Sequence, residues 1–208
     1  MKTNKASILS GVVITVVLFF AIQVNAQKLE LTPFIGYETG AKAYTNRGYL
    51  HIGDGMNFGG SLDVALGGGR FAELSYSHLK SYLSIDDPLV PPTKSDLTVD
   101  YYSAGILQEL KPKAKVSPYG LFTIGLVNYR PATGDISSEN KMHISIAGGI
   151  KIRATERIGL RLQARLLMPI FYTGTYFSVG SGGSGYGMSG GIVAVQGDFT
   201  AALVFMIR

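Results

Sequence analysis

The 208-residue chain contains no cysteine and no tryptophan, and only 16% of its residues are Asp, Glu, Lys or Arg. Without cysteine it forms no disulfide and offers no thiolate, so an exported form must hold together by packing and backbone pairing. An average soluble domain is roughly 25% charged, and the deficit here points away from an ordinary globule. Long apolar runs are scarce as well. Beyond the N-terminus no stretch approaches the ~18 residues that a membrane-spanning helix requires. A strong excess of one charge is also missing: the net value is +5, and Lys2 and Lys5 belong to the leader described next. With no basic stripe, nucleic-acid binding is not expected. Glycine is abundant, at 27 residues, but without the period of three that collagen needs.

The opening segment reads as an export signal. Lys2 and Lys5 precede an apolar stretch over residues 8–22, and Val24-Asn25-Ala26 places small or short residues before Gln27. As a helix this stretch would reach ~22 Å, short of the ~30 Å hydrocarbon core. Cleavage is expected after Ala26, giving a signal peptide, 1–26, and a single domain, 27–208. No cysteine follows the apolar stretch, which excludes a lipoprotein anchor.

Along the domain, apolar side chains recur with period two. Met56, Phe58, Leu62, Val64 and Leu66 alternate with Asn57, Ser61 and Asp63; Ile144, Ile146, Ile150 and Ile152 alternate with His143, Ser145, Lys151 and Arg153. Leu160, Leu162, Ala164 and Leu166 alternate with Arg161, Gln163 and Arg165. A helix would scatter these residues around its surface, whereas a strand places them on two faces. Weaker copies over 29–37, 71–82, 97–110, 116–129 and 193–207 bring the expected strands to eight.

The connections alternate in length. Segments 67–69, 111–115 and 154–157 are short, and 38–55, 83–96, 130–141 and 169–191 are long. An even-numbered antiparallel meander with short turns at one end is the layout of an outer-membrane barrel. Eight strands in lipid must close, because an open edge would leave backbone groups unpaired. A lipocalin-like soluble barrel would instead carry Lys and Glu on its outer face. The clean strands keep one face nearly free of charge, and Tyr37, Phe58, Tyr76, Tyr82, Tyr101, Tyr129, Phe171 and Phe199 stand toward strand ends, where an interface girdle is expected. The expected fold is therefore all-β: an eight-stranded antiparallel up-and-down transmembrane β-barrel.

Residues 156–166, Val195-Gln196-Gly197-Asp198 and Pro118-Tyr119-Gly120 resemble the small outer-membrane β-barrel proteins of the OmpA/OmpX-like, porin-family kind. The resemblance covers the whole domain and concerns architecture rather than activity. It implies residence in the outer membrane of a Gram-negative envelope with both mature termini in the periplasm. The implied partners are outer-membrane lipid, lipopolysaccharide included, and the barrel-assembly machinery. Such chains end in an aromatic residue that this machinery reads; here Phe205 lies three residues inside the end.

An eight-stranded barrel is only wide enough for side chains to fill. By parity the inward set holds Asp63, Glu73, Asp100 and Asp198 against Lys151, Arg153, Arg161 and Arg165. This equality points to an interior salt-bridge network joined by Gln163, Gln196 and Ser145.

Four features are set aside. Residues 180–185 match G-x-G-x-x-G and 187–191 match G-x-S-x-G, but neither stands at a strand-to-helix junction. The histidines His51, His78 and His143 lack metal-type spacing, and Asp86-Asp87-Pro88 lacks the spaced oxygens that calcium needs. No catalytic residue, cofactor or metal site is expected.

The expected function is a non-enzymatic barrel with a structural or surface-interaction role through its four long loops. Tyr44, Arg47, Tyr49, Tyr172, Tyr176 and Tyr186 are candidate contacts to an extracellular protein or glycan. Two alternatives stand beside it. One is hydrolysis or transfer of lipid acyl chains by a His143/Ser145 pair, as the lipid A deacylases use a His-x-Ser pair with a serine nucleophile. The other is a narrow solute channel.

Overall fold

In a computed structural model, residues 28–45, 48–86, 93–132, 138–180, 183–192 and 195–207 are described, and every regular element among them is a strand. The expected leader, 1–26, lies outside these residues, as does Arg47. The strands are β1 (Leu29–Glu38), β2 (Ala41–Thr45), β3 (Gly48–Ile52), β4 (Gly55–Gly67), β5 (Arg70–Asp86), β6 (Thr93–Glu109), β7 (Val116–Pro131), β8 (Glu139–Arg153), β9 (Ile158–Gly180), β10 (Gly183–Ile192) and β11 (Gln196–Ile207). Eight of them make a closed antiparallel barrel in the order β1-β4-β5-β6-β7-β8-β9-β11, and β1 pairs with both β4 and β11.

The remaining three belong to hairpins that prolong the barrel at one end. β2 pairs with β3, β3 continues against β5, and β10 pairs with β9 as far as Gly183 against Gly180. Much of what the sequence reads as long loops is thus strand. The alternation signal fades there because backbone pairing alone does not require one apolar face. At the opposite end the connections are tight. Gly67, Gly68 and Gly69 all have positive φ, at 88°, 62° and 78°, a conformation open to glycine and costly for residues with a Cβ.

Alternation sorts the side chains into two environments. Leu31, Ile35, Phe58, Leu74, Ile106, Phe122, Ile124, Ile146, Leu162 and Leu203 are exposed on the outside, while Thr32, Asn57, Asp63, Glu73, Lys151, Arg161 and Thr200 are buried inside. A barrel in water would be arranged the other way round. This is the inverted pattern of a barrel whose solvent is lipid.

The outer belt has a measurable consequence. Ile124→Arg, with the mutated position 51% exposed at mid-strand in β7, is expected to cost about 2–4 kcal/mol of stability for insertion near the bilayer centre. Urea unfolding in lipid vesicles would register it; an unchanged midpoint would contradict a lipid-facing position.

Candidate functional site

The lumen is the first place where polar side chains converge. At its centre, Asp63 and Glu73 sit opposite each other on the paired strands β4 and β5, two carboxylates that would repel if left alone. Arg161 reaches them from β9, which stands across the barrel from β5. Its Nη2 donates to Glu73 Oε2 at 2.8 Å and to Gln163 Oε1 at 2.6 Å, its Nε donates to Tyr119 Oη at 2.8 Å, and its Nη1 lies 3.4 Å from Asp63 Oδ2. Tyr119 in turn donates to Gln163 Oε1 at 3.0 Å. Space for the Tyr119 ring comes from Gly149, its cross-strand neighbour, where a Cβ would stand 2.5 Å from the phenol oxygen.

A second group closes the short-turn end. Lys151 is fully buried and pairs with Glu30 at 2.6 Å and Glu109 at 2.9 Å, with its ammonium 4.4 Å from the centre of the Phe71 ring. Arg153 also pairs with Glu109 and donates to the Ala114 carbonyl. Toward the other end Arg165 lies 3.6 Å from Asp198, which accepts from Asn57 at 2.7 Å. Tyr101 donates to Glu38 Oε1 at 2.8 Å.

Seven of the eight residues assigned to the lumen network are therefore brought together inside the barrel, and Asp100 is not. In β6 the inward positions are Leu97, Val99, Tyr101, Ser103, Leu107 and Glu109, which puts Asp100 on the outward side with Tyr102 and Ile106. The expected balance of four acids and four bases is corrected accordingly. Glu30, Glu38 and Glu109 face inward and Asp100 leaves, so six carboxylates meet Lys151, Arg153, Arg161 and Arg165. Those three glutamates stand at or near strand ends, yet Glu30 shares the parity of Thr32, and Glu109 that of Tyr101 and Leu107. That parity was the signal that could have found them.

The lumen is also less polar than expected. Leu79, Leu97, Val99, Tyr101, Val127, Tyr129 and Leu167 form an apolar cluster toward the long-hairpin end, and Phe71, Leu107, Tyr119 and Leu121 another near the short turns. Two residues assigned to the interface girdle, Tyr101 and Tyr129, belong inside this first cluster; Tyr37, Phe58, Tyr76 and Phe199 do face outward. In β6 both parities carry apolar residues, so alternation alone could not tell lumen from lipid. Between the two clusters, the central void lined by Glu73, Arg161, Gln163 and Arg165 measures about 10 Å³, at the lower limit for holding one water.

His143 and Ser145 share the lumen face, both fully buried. They do not hydrogen-bond to one another in the manner a nucleophile and its base require. His143 Nε2 meets Ser103 Oγ at 3.0 Å, and Ser145 Oγ meets Thr123 Oγ1 at 2.6 Å. Outside the barrel, Asp100 collects three donors: Tyr76 Oη at 2.8 Å, His78 Nδ1 at 2.7 Å and the Arg130 guanidinium. Among the described residues no group of three or more His, Asp or Glu could hold a metal ion.

Of the candidate loop contacts, Tyr44 pairs with Tyr49 in the β2–β3 hairpin. Tyr172, Tyr176 and Tyr186 pair with Gly190, Gly187 and Phe177 in the β9–β10 hairpin. The aromatic residues thus lie on two backbone-paired ribbons.

Removing Arg161 tests the interior. Arg161→Ala leaves Asp63 and Glu73 facing each other without their cation, and breaking such a buried pair costs about 3–5 kcal/mol. The expected result is a lower unfolding temperature in detergent, largely restored when Asp63→Asn and Glu73→Gln accompany Arg161→Met. Unchanged unfolding in Arg161→Ala would refute the network's contribution.

No family model and no curated protein matches the sequence. Among solved structures, OprG of Pseudomonas aeruginosa is similar at 9% identity over 88% of this chain and 96% of that one, with a TM-score of 0.61. Neisserial surface protein A aligns at 14% identity over 86% and 96%, with a TM-score of 0.55. AlkL, solved by solid-state NMR in lipid bilayers, aligns at 8% identity over 88% and 90%, with a TM-score of 0.52. Identities this low speak for the fold alone. The strand count, closure and inverted faces of this chain, together with these alignments, give it the fold of the small eight-stranded outer-membrane β-barrels.

Proposed function

We propose that the protein is a non-enzymatic outer-membrane barrel that presents its extended hairpins on the cell surface, with the short turns and both mature termini on the periplasmic side. The leader, 1–26, is the export signal in this reading. The observation that carries it is the filled lumen. Arg161, its two carboxylates and the flanking apolar clusters leave a void of about 10 Å³ at the centre, which in this reading bars a solute from crossing, and His143 and Ser145 are fully buried. A rigid scaffold that carries nothing through its middle acts through its ends, and binding residues concentrate on such projecting segments. The β2–β3 and β9–β10 hairpins offer paired tyrosines, a residue type suited to contact surfaces because of its large, rigid, amphipathic ring. The proposed partner is an extracellular protein or glycan, beside the lipids and assembly machinery of the envelope.

Two measurements test this. Purified protein in planar bilayers should stay electrically silent; steady single-channel steps would make it a channel instead. Deleting residues 174–190 should leave a folded barrel and abolish adhesion of expressing cells to surfaces coated with host-type glycans or matrix proteins. Adhesion that survives this deletion would remove the β9–β10 hairpin from the contact. Outer-membrane lipids whose acyl chains change in a His143-dependent way would favour the enzyme.

A further inference from the structure

Asp100 poses a physical question of its own. A carboxylate on the lipid side of a barrel strand is costly, yet this one is 2% exposed and placed by an unbroken register between His78 on β5 and Asn128 on β7. Tyr76 and His78 both donate to its Oδ1, which fixes the carboxylate, and the Phe58 ring packs 5.0 Å from the His78 ring. The other oxygen holds Arg130, whose side chain is still 54% exposed. One donor of the guanidinium is thus used for aiming, and the rest of its fork is turned to the surroundings.

The neighbours share one region. Away from the short turns, and among the residues whose side chains are described, the charged side chains at outward positions of the barrel strands are Lys80, Asp96, Asp100 and Arg130, all on the adjacent strands β5, β6 and β7. The outward positions of β1, β4, β8, β9 and β11 in the described residues carry none. Lys80 and Arg130 flank Thr98 in consecutive strands, so their backbones stand about 10 Å apart, a span that two long side chains close around one tetrahedral anion. Asp100 offsets part of the Arg130 charge, and the guanidinium's remaining N–H donors together with Lys80 are what meets the anion. Asp96, exposed at the next outward position, bounds the patch on the side away from the membrane.

The height is also specific. Just below lie the outward aromatics Tyr76 and Tyr102, with ring centres 5.2 Å apart and Leu126 level with them, and then Leu74, Ile106 and Ile124. Aromatic side chains of this kind mark the boundary between hydrocarbon and headgroups. From Leu126 to Arg130 the chain climbs about 13 Å along the strand, which sets the guanidinium in the headgroup layer.

We propose that this cluster is a binding site for the phosphate of a membrane lipid headgroup, with Arg130 and Lys80 as its ligands and Asp100 as the residue that positions Arg130. The chemistry is the planar fork of arginine against phosphate oxygens, joined by a lysine point charge. The inference rests on the membrane placement proposed above and is independent of what the hairpins bind.

The test uses the full mature barrel in nanodiscs of phosphatidylcholine doped with a bis-phosphorylated glucosamine lipid or with its phosphate-free counterpart. Lipids retained after mild delipidation are counted by native mass spectrometry. Wild-type protein is expected to retain the phosphorylated lipid in preference. Lys80→Ala with Arg130→Ala, both surface changes, should lower that retention roughly tenfold or more, as loss of charged hydrogen bonds implies. Asp100→Asn should weaken it less, by releasing Arg130. Equal retention of the two lipids, or retention unaffected by the double substitution, overturns the site. Displacement by millimolar inorganic phosphate overturns the lipid assignment in favour of a free-phosphate site. A barrel that never inserts yields no lipid-retaining species, a distinct result that overturns the membrane placement and the headgroup site with it.

Discussion

A strand in hydrocarbon has no water to satisfy its amides, so each donor and acceptor must find a partner on a neighbouring strand. In this protein that requirement is met when Leu29–Glu38 pairs with β4 on one side and β11 on the other, joining the two ends of the sheet. The rest follows from closure. A closed sheet has an inside and an outside, side chains alternate between them, and eight strands set an interior just wide enough for side chains. Polar residues gather inside because the outside faces lipid.

That narrow interior explains its chemistry. Carboxylates drawn into it lose most of their hydration, and a cation must come from the opposite wall. Arg161 does this across the full width, touching Glu73, Gln163 and Tyr119 together; Lys151 does it at the short-turn end between Glu30 and Glu109. Burial of these pairs strengthens their attraction and makes loss of one partner costly.

The outer surface divides by depth. Over most of the strands it is apolar, phenylalanines such as Phe122 among aliphatic side chains, and on β5–β7 it turns abruptly to Tyr76, Tyr102, His78, Asp100 and Arg130. Past this cluster the strands continue as hairpins held by backbone bonds, and backbone pairing alone does not require one apolar face.

How much of this was legible depends on how far each stretch feels two different solvents. Over 56–66, 142–153 and 158–168 one side meets lipid and the other a polar interior, so period two alone determined strands, faces, the number of crossings and the inward placement of Asp63, Lys151, Arg161 and Arg165. In β6 the contrast vanishes, because Leu97, Val99 and Leu107 pack inside while Ile106 and Tyr102 face out. Only the register with β5 and β7 decided that Asp100 lies outside and that Tyr101 and Tyr129 lie within. Partners were likewise beyond the sequence: His143 meets Ser103, forty residues away, instead of Ser145 on its own strand, since cross-strand neighbours are brought together by the curvature and stagger of a closed sheet. Local alternation fixes which face a residue joins, and closure alone fixes which residues that face brings into contact.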